Sequence, residues 1–256
     1  MLSSSHEAES RADFTGRLWQ RVLSRAACVR YGISMAATRS VFDILGPVMI
    51  GPSSSHTAGA VRLGLLARAI VGRLPDSVTV TLHGSFASTG KGHGTDLAIV
   101  AGLLGMRPDD PGIVDAFERA AEAGMAFDIR AGDLGDVHAN TALLQLSLGE
   151  RMVEIMGSSI GGGEVLVTRM GRFEVYATGR MPLLIVEHTD LPGEIAAVTR
   201  IISEHGANIA EMRVSRTRRG AEALMLIETD TELDADALAA IADLPGVMVV
   251  RAVPAV

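Results

Sequence analysis

The sequence has 256 residues, is 48% hydrophobic and carries a formal net charge of −7. These values support one or two domains with substantial cores and exclude a basic field large enough to hold nucleic acid. No apolar run reaches the roughly 18 residues of a membrane-spanning helix, so no span is expected. A single cysteine, Cys28, excludes a disulfide framework and a metal cluster held by this chain's own thiolates, so a reducing cytoplasm is the expected setting.

Residues 1–39 are rich in Ser, Arg and Ala and lack a settled period, which predicts a poorly ordered N-terminal extension. The stretch from Arg17 to Arg30 is open to two interpretations, an amphipathic helix or a basic targeting peptide. A third is that translation starts at Met35, just before the strand-like run Val41–Leu45, and that the preceding residues are an over-extended reading frame.

Residues 40–180 predict an α+β (α/β) domain of modest size. Helix-like and strand-like patterns follow one another at Val61–Gly72, Val78–Leu82, Thr95–Leu104, Phe117–Ala123, Thr141–Leu148, Arg151–Met156 and Glu164–Val167. A glycine-rich turn is expected from Gly84 to Gly94. The run Gly157–Gly163 indicates either a bulge or loop close to a ligand, or a hairpin tip.

Residues 181–256 predict a second domain, with the boundary near Gly179–Met181. Strands are expected at Leu183–Val186, Ile209–Ser215, Ala221–Glu228 and Val247–Val253, and helices from Pro192 to Gly206 and over Asp234–Ile241. This order, βαββαβ, is the ferredoxin-like arrangement.

The segment Gly51-Pro52-Ser53-Ser54-Ser55-His56-Thr57 directly precedes a predicted helix. Hydroxyls and free N–H groups at a helix start can bind a carboxylate or a phosphate. Serine and threonine also favour the N-cap position for its own sake, but three serines followed by His and Thr exceed what a cap needs. We therefore take Ser53, Ser54, Ser55, His56 and Thr57 as candidate ligand-binding residues.

A second segment, from His83 to Asp96, joins a predicted strand to a predicted helix, where α/β sheets tend to place ligands. Lys91, the single lysine of the sequence, offers a cation for a carboxylate, and His93 offers a base that works near neutral pH. The glycine spacing does not match a Walker loop. A tight turn with an exposed histidine is the plain alternative to a site.

These motifs, in this order, resemble the β chain of iron–sulfur L-serine dehydratases. The resemblance covers about residues 40–180 and rests on Val41–Leu45, Gly51–Thr57, Gly90–Asp96 and Ser159–Gly163. Residues 182–253 resemble an ACT domain, through Asp190-Leu191-Pro192-Gly193 and Gly206-Ala207-Asn208-Ile209. Because the β-chain domain is similar to the allosteric substrate-binding domain of some phosphoglycerate dehydrogenases, the fold alone does not prove an enzyme.

The resemblance implies a lyase that converts L-serine to pyruvate and ammonia with a [4Fe–4S] cluster. It implies that a separate α chain holds the cluster and makes His93 the candidate catalytic base. Lys91 and the Ser53–Thr57 loop would orient the substrate carboxylate or close the site. Asp190, Gly193 and Asn208 would bind a regulatory amino acid between paired ACT domains. Two alternatives stay open: a non-catalytic serine sensor that regulates a partner, and an anion-binding regulator without serine chemistry.

Overall fold

The computed structural model describes residues 48–256, without the side chain of Lys91. The expectations for residues 1–39, Cys28 and Val41–Leu45 lie outside the described residues. The helices are α1 (Gly59–Val71), α2 (Gly84–His93), α3 (Thr95–Leu104), α4 (Ala116–Glu122), α5 (Glu194–Glu204) and α6 (Ala235–Ala242). The strands are β1 (Ser77–Leu82), β2 (Ala126–Ala131), β3 (Thr141–Leu148), β4 (Arg151–Gly161), β5 (Glu164–Met170), β6 (Phe173–Ala177), β7 (Leu183–Thr189), β8 (Ile209–Arg216), β9 (Glu222–Thr229) and β10 (Val247–Val253).

A six-stranded sheet in the order β2-β1-β3-β4-β5-β6 forms the first half of the described chain. Its only parallel pair is β1–β2, because the segment between them crosses over through α2, α3 and α4. The other neighbours are antiparallel hairpins. The sequence did not predict β2 or β6. It also ended β4 too early, since that strand continues to Gly161 with register shifts after Met156 and after Ser159.

Helices α1 and α3 cross at two glycines and cover one face of this sheet. A Cβ atom at Gly102 would lie 2.0 Å from the Val61 carbonyl oxygen, and one at Gly64 would lie 2.3 Å from that of Ile99. Glycine is therefore required at both positions for this spacing. Apolar residues of both helices and of the sheet fill the core, among them Leu63, Leu66, Ile99, Leu103, Leu144, Leu146 and Ile155.

The second half forms a four-stranded antiparallel sheet in the order β10-β7-β9-β8, which confirms the predicted ferredoxin-like arrangement. The sequence predicted that this helix starts at Pro192, but helix α5 begins at Glu194. Gly193 provides the N-cap with a φ of 97°, a left-handed conformation outside the helix. Gly206, with a φ of 73°, follows the helix end as predicted.

The two central strands of this second sheet, β7 and β9, are buried on both faces. Leu184 and Val186 of β7 lie in a cluster with residues of α5 and α6. The alternating residues Leu183 and Ile185 belong to the core of the first sheet. The second half of the chain therefore uses one sheet face to pack against the first half.

Candidate functional site

The turn before α1 is built around Ser53 and Thr57. The Ser53 hydroxyl accepts a hydrogen bond from the His56 backbone N–H at 3.1 Å, and the Ser53 carbonyl accepts one from Thr57 at 2.9 Å. Ser54–Ala58 form one π-helical turn that continues into α1. Ser53 is thus an N-cap, which was the plain explanation for a serine here, whereas Ser54 and Ser55 remain partly exposed at the helix start.

The glycine-rich segment expected as a turn is instead a helix, α2. Phe86 of this helix is completely buried, so core packing holds the segment against its weak helix propensity. Gly90 and Gly92 have ordinary helical backbones, and the left-handed conformations are confined to the two ends, at Gly84 (φ 53°) and Gly94 (φ 66°). His93 is consequently the last residue of a helix and not part of a loop.

The two motifs meet in a pair of histidines. The ring centroids of His56 and His93 lie 5.1 Å apart with the planes tilted by 35°. The Nε2 atom of His56 lies 3.1 Å from the Ser85 hydroxyl oxygen, and its Nδ1 atom lies 3.4 Å from that of Ser53. The ring also packs edge-on against Phe86, at 5.4 Å between centroids. Two imidazoles and two hydroxyls therefore form one polar cluster.

The hydrogen bonding of His93 leaves one ring nitrogen suited to accept a proton. Its Nδ1 atom lies 3.1 Å from the Thr89 carbonyl oxygen. A carbonyl can only accept, so this contact places the proton of the neutral ring on Nδ1. The Nε2 lone pair then remains available, as a general base requires.

The pKa of His56 is lowered from its ordinary value of 6.5. Burial is the main cause and the neighbouring His93 adds to it, while a hydrogen bond to Ser85 opposes them. His56 is therefore held in the neutral form at neutral pH. The pair can hold one added proton more easily than two, because a second charge would lie about 5 Å from the first.

The predicted site residues of the first two motifs fall into four groups. Ser53, His56 and His93 come together as described, and Ser54 and Ser55 are partly exposed at the helix start. Thr57 does not face the solvent: it is 3% exposed, and its hydroxyl donates to the His93 carbonyl oxygen at 3.3 Å. Lys91 lies in α2, and its side chain is outside the described part of the structure.

Sequence reasoning missed Ser85, the partner of His56. It follows His83-Gly84 in the second motif, directly after β1. A serine at the start of a helix was the available signal, but the glycines of this segment predicted a turn, so the helix was not expected. His83, the first residue of that motif, has a structural partner: its Nδ1 atom accepts from the Leu134 N–H at 3.1 Å.

The third motif is a strand followed by a tight hairpin turn. Gly161, Gly162 and Gly163 all have positive φ values, of 103°, 63° and 81°. A guanidinium N–H of Arg62 donates to the Gly163 carbonyl at 3.2 Å. Ser159 is fully buried against Gly59, the first residue of α1, which joins this hairpin to the helix that follows His56.

Two of the three regulatory candidates, Asp190 and Asn208, already have side-chain partners within the chain. The Asp190 carboxylate accepts from the Gly220 N–H at 3.0 Å and from Arg216 at 2.9 Å, and these bonds lower its pKa. The Asn208 amide donates to Asp230 at 2.8 Å. Gly193 has open space around the position of a Cβ atom. A ligand there would have to share or replace the bonds of Asp190 and Asn208.

Within residues 48–256, no three His, Cys, Asp or Glu side chains come together in a way that could hold a metal ion. In the same part of the chain, no helix is both long enough and apolar enough to cross a membrane.

The fold and the site define an α+β protein with a paired-histidine site and an appended ferredoxin-like domain. Residues 40–142 match the family described as serine dehydratase beta chain, and residues 183–246 match the ACT domain. The chain is 44% identical over 210 residues to the probable L-serine dehydratase beta chain of Bacillus subtilis, covering 82% of this chain and 96% of that protein. It is 36% identical over 196 residues to the L-serine dehydratase beta chain of Peptoniphilus asaccharolyticus, covering 76% and 88%.

A shorter alignment with L-serine dehydratase 1 of Escherichia coli is 47% identical over 74 residues and covers 27% of this chain and 16% of that protein. The chain belongs to the serine dehydratase β-chain family and carries an ACT domain at its C-terminal end.

Proposed function

We propose that this chain is the β subunit of an L-serine ammonia-lyase that converts L-serine to pyruvate and ammonia in the cytoplasm. The observation that carries the proposal is the approach of His56 and His93 to 5.1 Å, which brings the two motifs shared with the family into one site. Relatives that this chain matches over most of their length are named L-serine dehydratase beta chains. In the overall reaction, water leaves serine to give aminoacrylate, and hydrolysis of aminoacrylate then releases ammonia.

His93 is the proposed base that removes the α-proton of serine. Its Nδ1 atom faces the Thr89 carbonyl, so Nε2 is the nitrogen that takes the proton. Burial is the main cause that lowers the pKa of His56, so His56 is neutral at neutral pH and places no positive charge beside His93. His93 is then the residue that takes the proton and returns it in each turnover.

Ser54, Ser55 and Lys91 are the proposed contacts of the substrate carboxylate. The two serines lie partly exposed in the first helical turn before α1, where backbone N–H groups favour an anion. Ser53 and His56 shape this turn, because the Ser53 hydroxyl is bonded to the His56 backbone.

The residues of this chain do not fit an iron–sulfur cluster. Residues 48–256 contain no cysteine, and the complete sequence contains one, Cys28. Three thiolates are needed to hold a [4Fe–4S] cluster with an open iron. We propose that a separate α chain supplies them and that this chain is inactive without that partner.

The test is to assemble this chain with a serine dehydratase α chain under anaerobic conditions. The isolated chain should show no dehydratase activity, and the mixture should form pyruvate from L-serine. His93→Gln should lower kcat by about 10²-fold or more with unchanged cluster absorbance. His205→Gln is the matched control, since His205 lies at the end of α5 beside Asp234, far along the chain from the pair.

Activity from the isolated chain would refute the two-subunit proposal. A His93→Gln enzyme with a near-normal kcat would instead move the base to another residue, on this chain or on the α chain. Failure of every mixture to turn over serine, with a correctly loaded cluster, would favour the alternative of a non-catalytic serine sensor.

The ACT domain is the proposed site of amino-acid regulation and of homodimerisation. Asp190, Gly193 and Asn208 lie around the first turn and the start of β8, where Gly193 leaves room for a ligand. Calorimetry with L-serine should use the complete chain, because removal of the first half would expose Leu183 and Ile185. Asp190→Asn should weaken binding, whereas absence of heat with any amino acid would leave only an assembly role.

A further inference from the structure

We propose that Thr57 is a positioning residue that sets the orientation of His93, and not a contact of the substrate. The proposal rests on the proposed function for its kinetic consequence, but its structural part concerns the isolated chain. At 3% exposure, Thr57 is closed off from a ligand in the site. Its polar contact is directed inward, from the hydroxyl to the His93 carbonyl oxygen at 3.3 Å.

The carbonyl that Thr57 reaches is one that a helix cannot satisfy by itself. His93 is the last residue of α2, and the final carbonyls of a helix lack partners from the next turn. A side chain from the turn before α1 therefore completes the end of α2. This bond ties the main chain of one proposed catalytic residue to the segment that carries the other histidine.

The two ends of His93 are then held from different directions. Thr57 holds the main-chain carbonyl, and the Thr89 carbonyl holds the ring through Nδ1. With both ends fixed, the ring stands 5.1 Å from that of His56. Loss of the carbonyl contact would free the end of α2, where Gly94 already allows the chain to change direction.

Thr57 is itself held in place by its neighbours. Its backbone N–H donates to the Ser53 carbonyl at 2.9 Å. Gly51 packs so closely that a Cβ atom there would lie 2.6 Å from the Thr57 methyl carbon and 2.8 Å from its hydroxyl oxygen. The glycine at the start of the motif thus makes room for the threonine at its end.

The first experiment uses the isolated chain and follows the imidazole of His93 by NMR, with the signal assigned by its loss in His93→Gln. Thr57→Val keeps the shape and removes the hydroxyl, and should displace the ring cross-peaks of His93 from their wild-type positions. Thr57→Ser restores a hydroxyl and should return the cross-peaks to those positions. Gly51→Ala, which displaces Thr57 without removing its hydroxyl, should displace the cross-peaks as well.

The matched control is Thr229→Val. Thr229, the last residue of β9, is also a buried threonine, 2% exposed, and its hydroxyl donates to the Thr231 carbonyl at 2.8 Å. Thr229→Val should lower the melting temperature to a similar extent without displacing the His93 ring cross-peaks. If Thr57→Val behaves in the same way as this control, the positioning role is wrong and the threonine is only structural.

The second experiment measures kinetics in the enzyme assembled with an α chain. Thr57→Val should lower kcat about five- to tenfold with little change in KM, since one neutral hydrogen bond is lost and substrate contacts remain. A raised KM at unchanged kcat would overturn the proposal in favour of a substrate contact. Because the NMR arm needs no turnover, failure of the proposed lyase activity would be seen separately.

Discussion

The crossing of α1 and α3 gives a prediction whose size follows from the distances between their atoms. In Gly102→Ala, the added Cβ would lie 2.0 Å from the Val61 carbonyl oxygen, 2.8 Å from the Leu65 nitrogen and 2.9 Å from the Gly64 Cα. All three are main-chain atoms, so no side-chain rotation can relieve the contact. The helices would have to separate by about 1 Å, and their dispersion contacts with the core would weaken.

The expected loss of stability is a difference between two effects. Overpacking a well-filled core costs typically about 1–3 kcal/mol, and an unrelieved main-chain contact belongs at the upper end. Alanine in place of a helical glycine returns roughly 1 kcal/mol. The net loss is about 2 kcal/mol, or about 4–8 °C in melting temperature for a chain of this size.

The measurement is thermal and urea unfolding of the isolated chain, followed by circular dichroism. Gly92→Ala is the matched control: it is also a helical glycine, but nothing lies within 4 Å of the added atom. That variant should be at least as stable as the wild type. Equal stability of the Gly102→Ala and Gly92→Ala variants would refute the close helix crossing.

Three further predictions concern other contacts. Burial lowers the pKa of His56, so the unfolded chain binds a proton at this residue more tightly than the folded chain does. The resulting contribution to the free energy of unfolding is fully present above pH 6.5 and is lost as the pH falls through the lowered pKa. Urea unfolding of His56→Gln from about pH 5 to 8 should show a smaller decline on the acid side, and an unchanged profile would contradict this reasoning. Arg251→Met should cost about 1–2 kcal/mol, because the Arg251 guanidinium satisfies the Val71 carbonyl at the end of α1; no loss in unfolding midpoint would mean that water replaces it. In Gly59→Ala the new atom would meet Ser159 at 2.1 Å, so a double-mutant cycle with Ser159→Gly should show a coupling of about 1 kcal/mol or more, and strict additivity would exclude the clash.

Short-range patterns predicted many of the elements well. The alternation in Val78, Val80 and Leu82 gave β1, and the strands Thr141–Leu148 and Val247–Val253 have the predicted bounds. In β1 and β3 the more buried and less buried residues alternate over most of the strand, so a period of two is visible in the sequence. Strand β2 escaped prediction because it has no fully buried residue and its exposed and half-buried positions carry a weak signal.

The prediction of a turn at Gly84–His93 was wrong for a different reason. Its glycines predict a turn by local propensity, but the burial of Phe86 and the satisfied ends of the segment make it helical. Tertiary packing overrode a propensity that amounts to only about 1 kcal/mol for each glycine. The same error hid Ser85 and made His93 look like a loop residue.

The sequence by itself determined the chemistry that is present: the Ser53–Thr57 hydroxyls, two histidines in separate motifs, a single cysteine and a second domain with the βαββαβ order. Only the tertiary structure decided which of these groups are within reach of one another. It brought the His56 and His93 rings to 5.1 Å and turned the Thr57 hydroxyl inward, away from solvent. The physical reason is that local patterns record which face of an element is buried, whereas distances between elements depend on how closely α1 and α3 pack at Gly64 and Gly102.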